Sequence, residues 1–390
     1  RLSYALVDQN QFSQELQFVG EAGDFKYVFG GYYFNENGAD EATVFSSARL
    51  NATNTGITLL PVIVPDAGVG NTPDRAARVN VKSKALFGQV TWSPMALLGL
   101  HVTVGARYTD DHKDGYLTAI RGVDPNLDFV FNSSRFDPMA TIAYDFSKDI
   151  NAYVKLSRAY RAGGANTRSS ILRPFGEEEL VAWEAGFKAD LFDRRARLNI
   201  AAYTSRLSNQ QVDFINPAFV SNTETVNAPE KRRLKGVEVD LTLAPVRDLL
   251  FGVNYVYTDA PATPVRNIFS GVVEQVSSAF TPKHAVTLTA DYTFPRFSFG
   301  ELRLHFDANT AGNYFANGTV NYKAESAFLV NGRLTLGDID LGGGTLDVAL
   351  WAKNLTNANY NYFDFRVASR NTTTRYNDPR TYGLEARVRF

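Results

Sequence analysis

Cysteine is absent from all 390 residues. Disulfides, thiolate nucleophiles and cysteine-ligated metal sites are thereby excluded. An excess of either charge is absent too. The chain has 40 basic and 41 acidic residues, so it carries no basic field to hold nucleic acid. No apolar run reaches the roughly 18 residues of a membrane helix. The best candidate, Met95 to Ala106, is short and interrupted by His101. No basic-then-apolar leader opens the chain, which starts on Arg1 and reads as a fragment or a processed form. G-x-S-x-G, H-E-x-x-H and a complete phosphate loop are all missing. "GVG" at 68–70 lacks the third glycine and a following helix. The sequence is therefore not read as an enzyme, and no cofactor or metal is assigned.

Aromatics are plentiful, with 28 Phe, 19 Tyr and 3 Trp, and strict alternation runs through the chain. "LHVTVGARYTD" sets Val102, Val104, Ala106 and Tyr108 against His101, Thr103, Arg107 and Thr109. "GVEVDLTLAP", "AVTLTADYTF", "ELRLHFDANT" and the final "TYGLEARVRF" behave alike. Successive strand side chains point to opposite faces, so each stretch is a strand with one greasy and one polar face. About 15 such strands are expected, with the usual error of a few residues at each end. They lie near 12–20, 25–34, 83–93, 99–111, 134–146, 150–161, 178–192, 195–216, 233–245, 249–259, 282–294, 297–310, 326–337, 345–360 and 380–390.

Connections alternate between short and long. Short ones fall near 21, 147, 193, 245 and 295, punctuated by Gly, Pro and Asp. Long ones occupy 35–82, 112–133, 162–177, 217–232, 260–281, 311–325 and 361–379. Every second connection is long, which places all the long loops at one end of the sheet. Transmembrane barrels are built this way.

Alternation by itself fits a soluble sandwich, apolar face inward, as well as a membrane barrel, apolar face outward. A mean hydropathy of −0.21 fits both as well. Three observations favour the barrel. Several strands run beyond the mode of about 5–6 residues in globular proteins. Aromatics on the apolar face gather near the short-turn ends, at Phe18, Trp92, Phe146, Phe294 and Phe390, as an interfacial girdle requires. The polar face carries Glu184, Lys188, Asp190, Glu238, Asp240, Arg303, Asp307, Asp347, Lys353, Glu385, Arg387 and Arg389. Arg or Lys facing lipid at mid-depth would cost roughly 2–4 kcal/mol each, so this face lines a lumen. Arg158 breaks phase and is expected near the outer interface, snorkelling.

With these features the sequence resembles the carboxyl-terminal part of a TonB-dependent outer-membrane receptor. The resemblance is carried by "FSQELQFVG...FKYVFGGYYFNE", by "LSRAYRAGGANTR" with its Gly-Gly pair, and by "EEELVAWEAGFKADLFDRRARLNIAAYTSRLSNQQV". "WAKNLTNANY" and "PRTYGLEARVRF" complete the set, which spans most of residues 12–390. The resemblance implies an all-β, antiparallel transmembrane barrel of about 22 strands, of which about 15 are present. On this view residues 1–390 are one barrel domain, with the plug, the TonB box and the first strands lying outside it. It also implies a Gram-negative outer-membrane location. Its partners would be TonB through that plug, the barrel-assembly machinery reading Phe390, and outer-membrane lipid and lipopolysaccharide.

Basic residues, mostly arginine, crowd the expected outer rim: Arg161, Arg168 and Arg173 in one loop, Lys231, Arg232 and Arg233 in the next, Arg366, Arg370 and Arg375 in the last. Tyr160, Tyr360, Tyr362 and Phe363 lie nearby. Guanidinium groups and rings suit an anionic metal chelate such as a ferric catecholate siderophore; solvated loops or lipopolysaccharide contacts would use the same residues. Glu184, Lys188, Glu238, Asp240, Arg303, Asp307, Glu385, Arg387 and Arg389 would face the plug, or else a water-filled wall. The cluster Asp110, Asp111, His112 and Asp114 reads as a solvated strand end entering a loop, and His101 and His305 as hydrogen-bonded lumen residues. The leading function is energised uptake of a large, scarce nutrient, with a ferric siderophore the family default. Haem, cobalamin and oligosaccharides remain open as substrates. A passive porin and a secreted carbohydrate-binding β-sandwich are the competing classes.

Overall fold

The computed structural model describes residues 2–50, 57–65, 75–120, 124–216, 223–316, 323–367 and 371–390. No helix occurs among them. Fifteen strands form the wall. They are β1 (Leu2–Ala22), β2 (Phe25–Leu50), β3 (Arg75–Trp92), β4 (Leu100–Ile120), β5 (Leu127–Ser147), β6 (Ile150–Arg161), β7 (Glu178–Leu191), β8 (Ala196–Ser208), β9 (Arg232–Val246), β10 (Leu249–Asp259), β11 (His284–Thr293), β12 (Glu301–Ala311), β13 (Phe328–Asp340), β14 (Thr345–Lys353) and β15 (Thr381–Arg389). Each pairs antiparallel with the next, giving one up-and-down meander from β1 to β15. A further strand, Ile57–Pro65, pairs with the top of β2.

No second sheet covers the apolar face among the described residues. Leu86, Ile142, Val154, Trp183, Leu350 and Leu384 point away from the sheet and are exposed. A soluble sandwich would bury such a surface, and exposed apolar area this continuous marks contact with another apolar phase. The sandwich reading is thus excluded, and the apolar face is the lipid face. Buried apolar clusters occur instead among the loops and at the tops of β3, β4 and β5. Val212, Phe214, Ala228, Val265 and Val276 form one, and Ala77, Leu117, Phe129 and Leu172 another.

Exposed Phe18 and Phe146 sit at the short-turn ends of β1 and β5 as expected. Tyr144 and Phe146 meet edge to face at 5.0 Å, and Tyr292 and Phe294 at 4.6 Å. Phe390 follows β15 and is fully exposed.

Two expected long loops are largely strand. Residues 35–50 and 75–82 continue β2 and β3, and residues 112–120 and 127–133 continue β4 and β5. The apolar alternation stops where the lipid does, but the backbone ladder does not need it. The boundary can be read across the register. Gln14 opposes Tyr33, Tyr33 opposes Lys84, Lys84 opposes Asp110, and Asp110 opposes Ser134. Below this line the outward side chains are apolar; above it come Asn10, Glu41, Asn80, His112 and Asn132. A 26-residue strand such as β2 exceeds the roughly 9–11 residues a tilted membrane strand needs, so its upper part projects beyond the bilayer.

The acidic cluster is therefore mid-strand rather than at a loop entrance. Asp110 accepts from Ser134, and Asp114 from Asn80, both at 2.8 Å, while His112 contacts Asn132 at 2.6 Å. Two other expected strands are shorter than read. The one read as 195–216 ends at Ser208, because Asn209 turns left-handed (φ 54°) and residues 211–215 pair with 223–227 in the loop. The one read as 345–360 ends at Lys353, at left-handed Asn354 (φ 52°).

Candidate functional site

The register puts the expected lumen residues on one face. Lys188 opposes Asn199, which opposes Asp240, and Glu184 opposes Tyr203. Further round, Arg303 opposes Thr335, Thr335 opposes Ala349, and Ala349 opposes Glu385. Many charges are paired within the wall. Arg389 reaches Asp347 at 2.8 Å and Arg303 reaches it at 3.9 Å. Arg333 contacts Glu385 at 3.1 Å, and Arg387 contacts Glu385 at 3.6 Å. Asp307 takes Asn331 at 2.8 Å and His305 at 3.7 Å. His101 bridges Ser93 and Asp145, at 2.7 and 2.9 Å. Others meet no opposite charge among the described residues. Glu184 accepts from the Tyr153 hydroxyl at 2.7 Å. Lys188 lies over the Tyr153 ring, Asp240 has only Asn199 at 3.4 Å, and Glu238 has neither hydrogen bond nor ion pair.

Above the lipid, the hairpin of β6 and β7 leaves its neighbour. β6 pairs with β5 only between Ser147↔Ile150 and Met139↔Ser157. Higher up, residues 127–138 of β5 pair with β4 alone, and the hairpin leans across their inner surface. Its outward-parity residues then meet charges rather than lipid. Arg135 of β5 holds Glu177 at 2.6 Å and Glu179 at 2.5 Å, and Arg158 shares Glu179 at 2.5 Å. Arg158 was expected to snorkel toward headgroups; the lean places it in this ion-pair cluster instead. The sequence signal was "EEE" at 177–179. Consecutive carboxylates on a strand cannot all stay clear of the apolar face, so the strand must leave the lipid there.

Tyr160 belongs to the same cluster. Its hydroxyl donates to Asp111 at 2.5 Å, and Arg135 lies 5.6 Å from its ring. Tyr160 is thus committed to the wall. Arg161 is more than half exposed and touches Glu178 at 3.1 Å. Arg168 and Arg173 are exposed on the loop and have no acidic partner among the described residues. Glu224 of the neighbouring loop anchors that segment, accepting from Ser169 Oγ at 2.7 Å and the Ser170 amide at 3.2 Å.

The tyrosines of the last loop form a separate group. Tyr360 and Tyr362 meet edge to face at 6.5 Å, and Tyr314 donates to the Tyr362 carbonyl at 3.0 Å. Phe280 stacks on Phe363 at 6.4 Å and leans on Tyr314 at 5.9 Å. Burial pushes the phenols of Tyr314 and Tyr360 up, so both are neutral donors at ordinary pH. Nothing among the described residues bridges this group to Arg168 and Arg173. The side chain of Arg366 and all of Arg370 lie outside the described residues. At the root of this loop Asn354 is buried. Its amide donates to the carbonyls of Ala358 and Asp378, at 2.9 and 3.1 Å, and its oxygen accepts from the Ala358 amide at 2.9 Å.

One meandering sheet with an apolar outside, a charged inside and its loops at one end defines the wall of a transmembrane β-barrel. The chain belongs to the family described as TonB dependent receptor-like, beta-barrel, which matches residues 2–355. This is an outer-membrane family. The chain is 27% identical over 234 residues to an uncharacterized TonB-dependent receptor from Haemophilus influenzae, covering 58% of this chain and 64% of that one. It is 26% identical over 178 residues to the metal-pseudopaline receptor CntO of Pseudomonas aeruginosa, covering 45% of this chain and 23% of the other. Among solved structures, the ferric yersiniabactin uptake receptor FyuA from Yersinia pestis superimposes with a TM-score of 0.77 at 15% identity, over 100% of this chain and 55% of that one. The copper transporter OprC gives 0.70 at 11% identity, over 98% and 57%. The chain thus spans little more than half the length of the solved relatives it matches.

Proposed function

We propose that this chain forms the wall of a Gram-negative outer-membrane receptor that takes up a large, anionic metal chelate with energy delivered through TonB. A ferric siderophore is the preferred ligand class. Family membership supports the uptake role. The names of the relatives, which include receptors for metal-pseudopaline and ferric yersiniabactin, support the ligand class. The observation that carries the reading on this chain is the pair of exposed arginines, Arg168 and Arg173, on the loop carried by the inward-leaning β6–β7 hairpin. On this reading Glu184, Lys188, Glu238 and Asp240 face a plug domain that fills the barrel and contacts TonB.

The test is ligand binding by the purified complete receptor with Arg161, Arg168 and Arg173 all changed to Ala. A charge-assisted hydrogen bond is worth about 1.5–3 kcal/mol, so each lost contact should cost roughly one to two decades of affinity. Binding unchanged within error would move the site to other loops or to the plug.

A further inference from the structure

Above the ends of β10 and β11, between the loop 260–283 and residues 313–315 and 323, lies a cavity of about 700 Å³. It is separate from the arginine loop and from the β6–β7 cluster. Lys283 and Lys323 line it from opposite loops. Each packs on a ring: Lys283 is 5.8 Å from the Tyr257 centroid, and Lys323 is 5.2 Å from that of Phe315. Neither has an acidic partner among the described residues. Two carboxylates also stand in the lining, one paired with a cation and the other, still charged, held by an amide. Asp259 meets Lys235 at 3.4 Å, and Glu274 accepts from Asn267 at 2.7 Å.

The rest of the lining is hydroxyl and amide. Ser277, Ser278, Gln275 and Asn313 contribute donors and acceptors that bond to no other residue described. Tyr314 and Phe315 supply aromatic surface on one side. A cation at each flank, loose hydroxyls and amides between, and rings on one wall suit one kind of molecule. Its hydroxyls would pair with the serines and amides, its C–H faces would lie on the rings, and its anionic groups would meet the lysines. Ligand pockets of roughly 300–1,000 Å³ hold small organic molecules, and this one has room for a disaccharide.

We infer that this cavity binds an acidic saccharide, one or two sugar units carrying carboxylate or phosphate, independently of what the receptor transports. The same chemistry occurs on free acidic glycans and on the headgroups of outer-leaflet glycolipid. The native receptor, extracted in detergent, is titrated with digalacturonic acid, with the uncharged disaccharide of the same linkage, and with inorganic phosphate. Saturation-transfer NMR and calorimetry read the binding.

Digalacturonate is expected to bind, and the neutral disaccharide to bind roughly tenfold more weakly. Lys283→Ala and Lys323→Ala should each weaken digalacturonate about fivefold or more, as loss of a charged contact requires. Thr281→Trp, which fills the cavity without altering a charge, should abolish binding, while Lys148→Ala at the far end of the wall leaves it intact. Displacement of bound digalacturonate by lower concentrations of glycolipid core oligosaccharide assigns the site to the membrane's own sugars; no displacement assigns it to free glycan. Three results overturn the inference. They are no transfer from digalacturonate at about 10 mM, equal affinity in the lysine variants, or phosphate binding as tightly as the sugar acid.

Discussion

Arg135 on β5 and Glu179 on β7 form an ion pair at 2.5 Å although β6 lies between their strands in the sheet. The contact exists because the β6–β7 hairpin leans inward above Ser157 and crosses the inner surface of β5. Arg135 also holds Glu177, so a single guanidinium ties down the point where the loop 162–177 rejoins the wall.

Removing that guanidinium should free the loop without unfolding the barrel. Arg135→Ala leaves Glu177 without a cation and Glu179 with Arg158 alone in a part-buried place, at a cost of about 2 kcal/mol. The open state should then rise roughly thirtyfold. Trypsin added to intact cells reports this directly, because Arg168 is an exposed cleavage site on the loop, whereas Arg173 precedes Pro174 and resists the enzyme. Cleavage there should accelerate in Arg135→Ala and stay at the wild-type rate in Arg197→Ala, which breaks a pair at the short-turn end. Equal rates would mean the loop is held elsewhere, by Glu224.

The wall itself depends on close cross-strand fits. Gly186 lies directly opposite Tyr153, and a Cβ on Gly186 would sit 2.3 Å from the Tyr153 ring. The missing side chain lets the ring lie flat and deliver its hydroxyl to Glu184. Gly186→Ala should displace the ring and lower stability by about 1–3 kcal/mol, the range for overpacking. Gly38→Ala, where nothing lies within 4 Å, should be neutral. The temperature at which the folded barrel converts to its slow-migrating form on a gel separates the two. No difference between them would show that the ring moves aside freely.

Asn354 occupies a left-handed position that a branched or apolar residue resists, and its amide ties both ends of the loop 354–380. Asn354→Ala should cost about 2–3 kcal/mol from the lost bonds and the backbone together. Asn354→Gly, which removes the bonds but suits the backbone, should cost less. Protease sensitivity of the loop should rank wild type, Gly, then Ala. The reverse order for Gly and Ala would show that the conformation matters little.

These residues also show what could be read in advance. The period-2 pattern located β6 and β10 and put Glu184, Glu238 and Glu385 on the face opposite the exposed apolar one, because lipid and water impose opposite demands on alternate side chains. It failed above Tyr33 and Asp110, where both faces are wet and the backbone ladder continues without a hydrophobic signal. Arg158 was placed on the correct face, but its surroundings were wrong. The face a strand presents follows from local sequence, whereas the lean that brings Arg135 beneath it depends on where two neighbouring strands stop pairing. The Asn-Leu-Thr stretch was visible as a motif, but its role as the knot of the last loop appears only once Asp378 is brought back beside Asn354.

The lumen offers the last contrast. Arg387 spends its charge on Glu385, while Glu238 faces inward with no hydrogen bond or ion pair among the described residues. On the reading proposed above, in which a plug fills the barrel, an inward carboxylate without a wall partner is free to bind it, and a paired arginine is not. In the complete receptor, Glu238→Lys should therefore loosen the plug, whereas Arg387→Ala should leave it seated. Passage of a bulky antibiotic that ordinary porins exclude provides the readout. Sensitivity should rise about twofold or more for Glu238→Lys, as expected when a like charge replaces an attractive one at close range. Equal sensitivity of both variants and wild type would assign the unpaired charges to water in the lumen and withdraw their role as plug contacts.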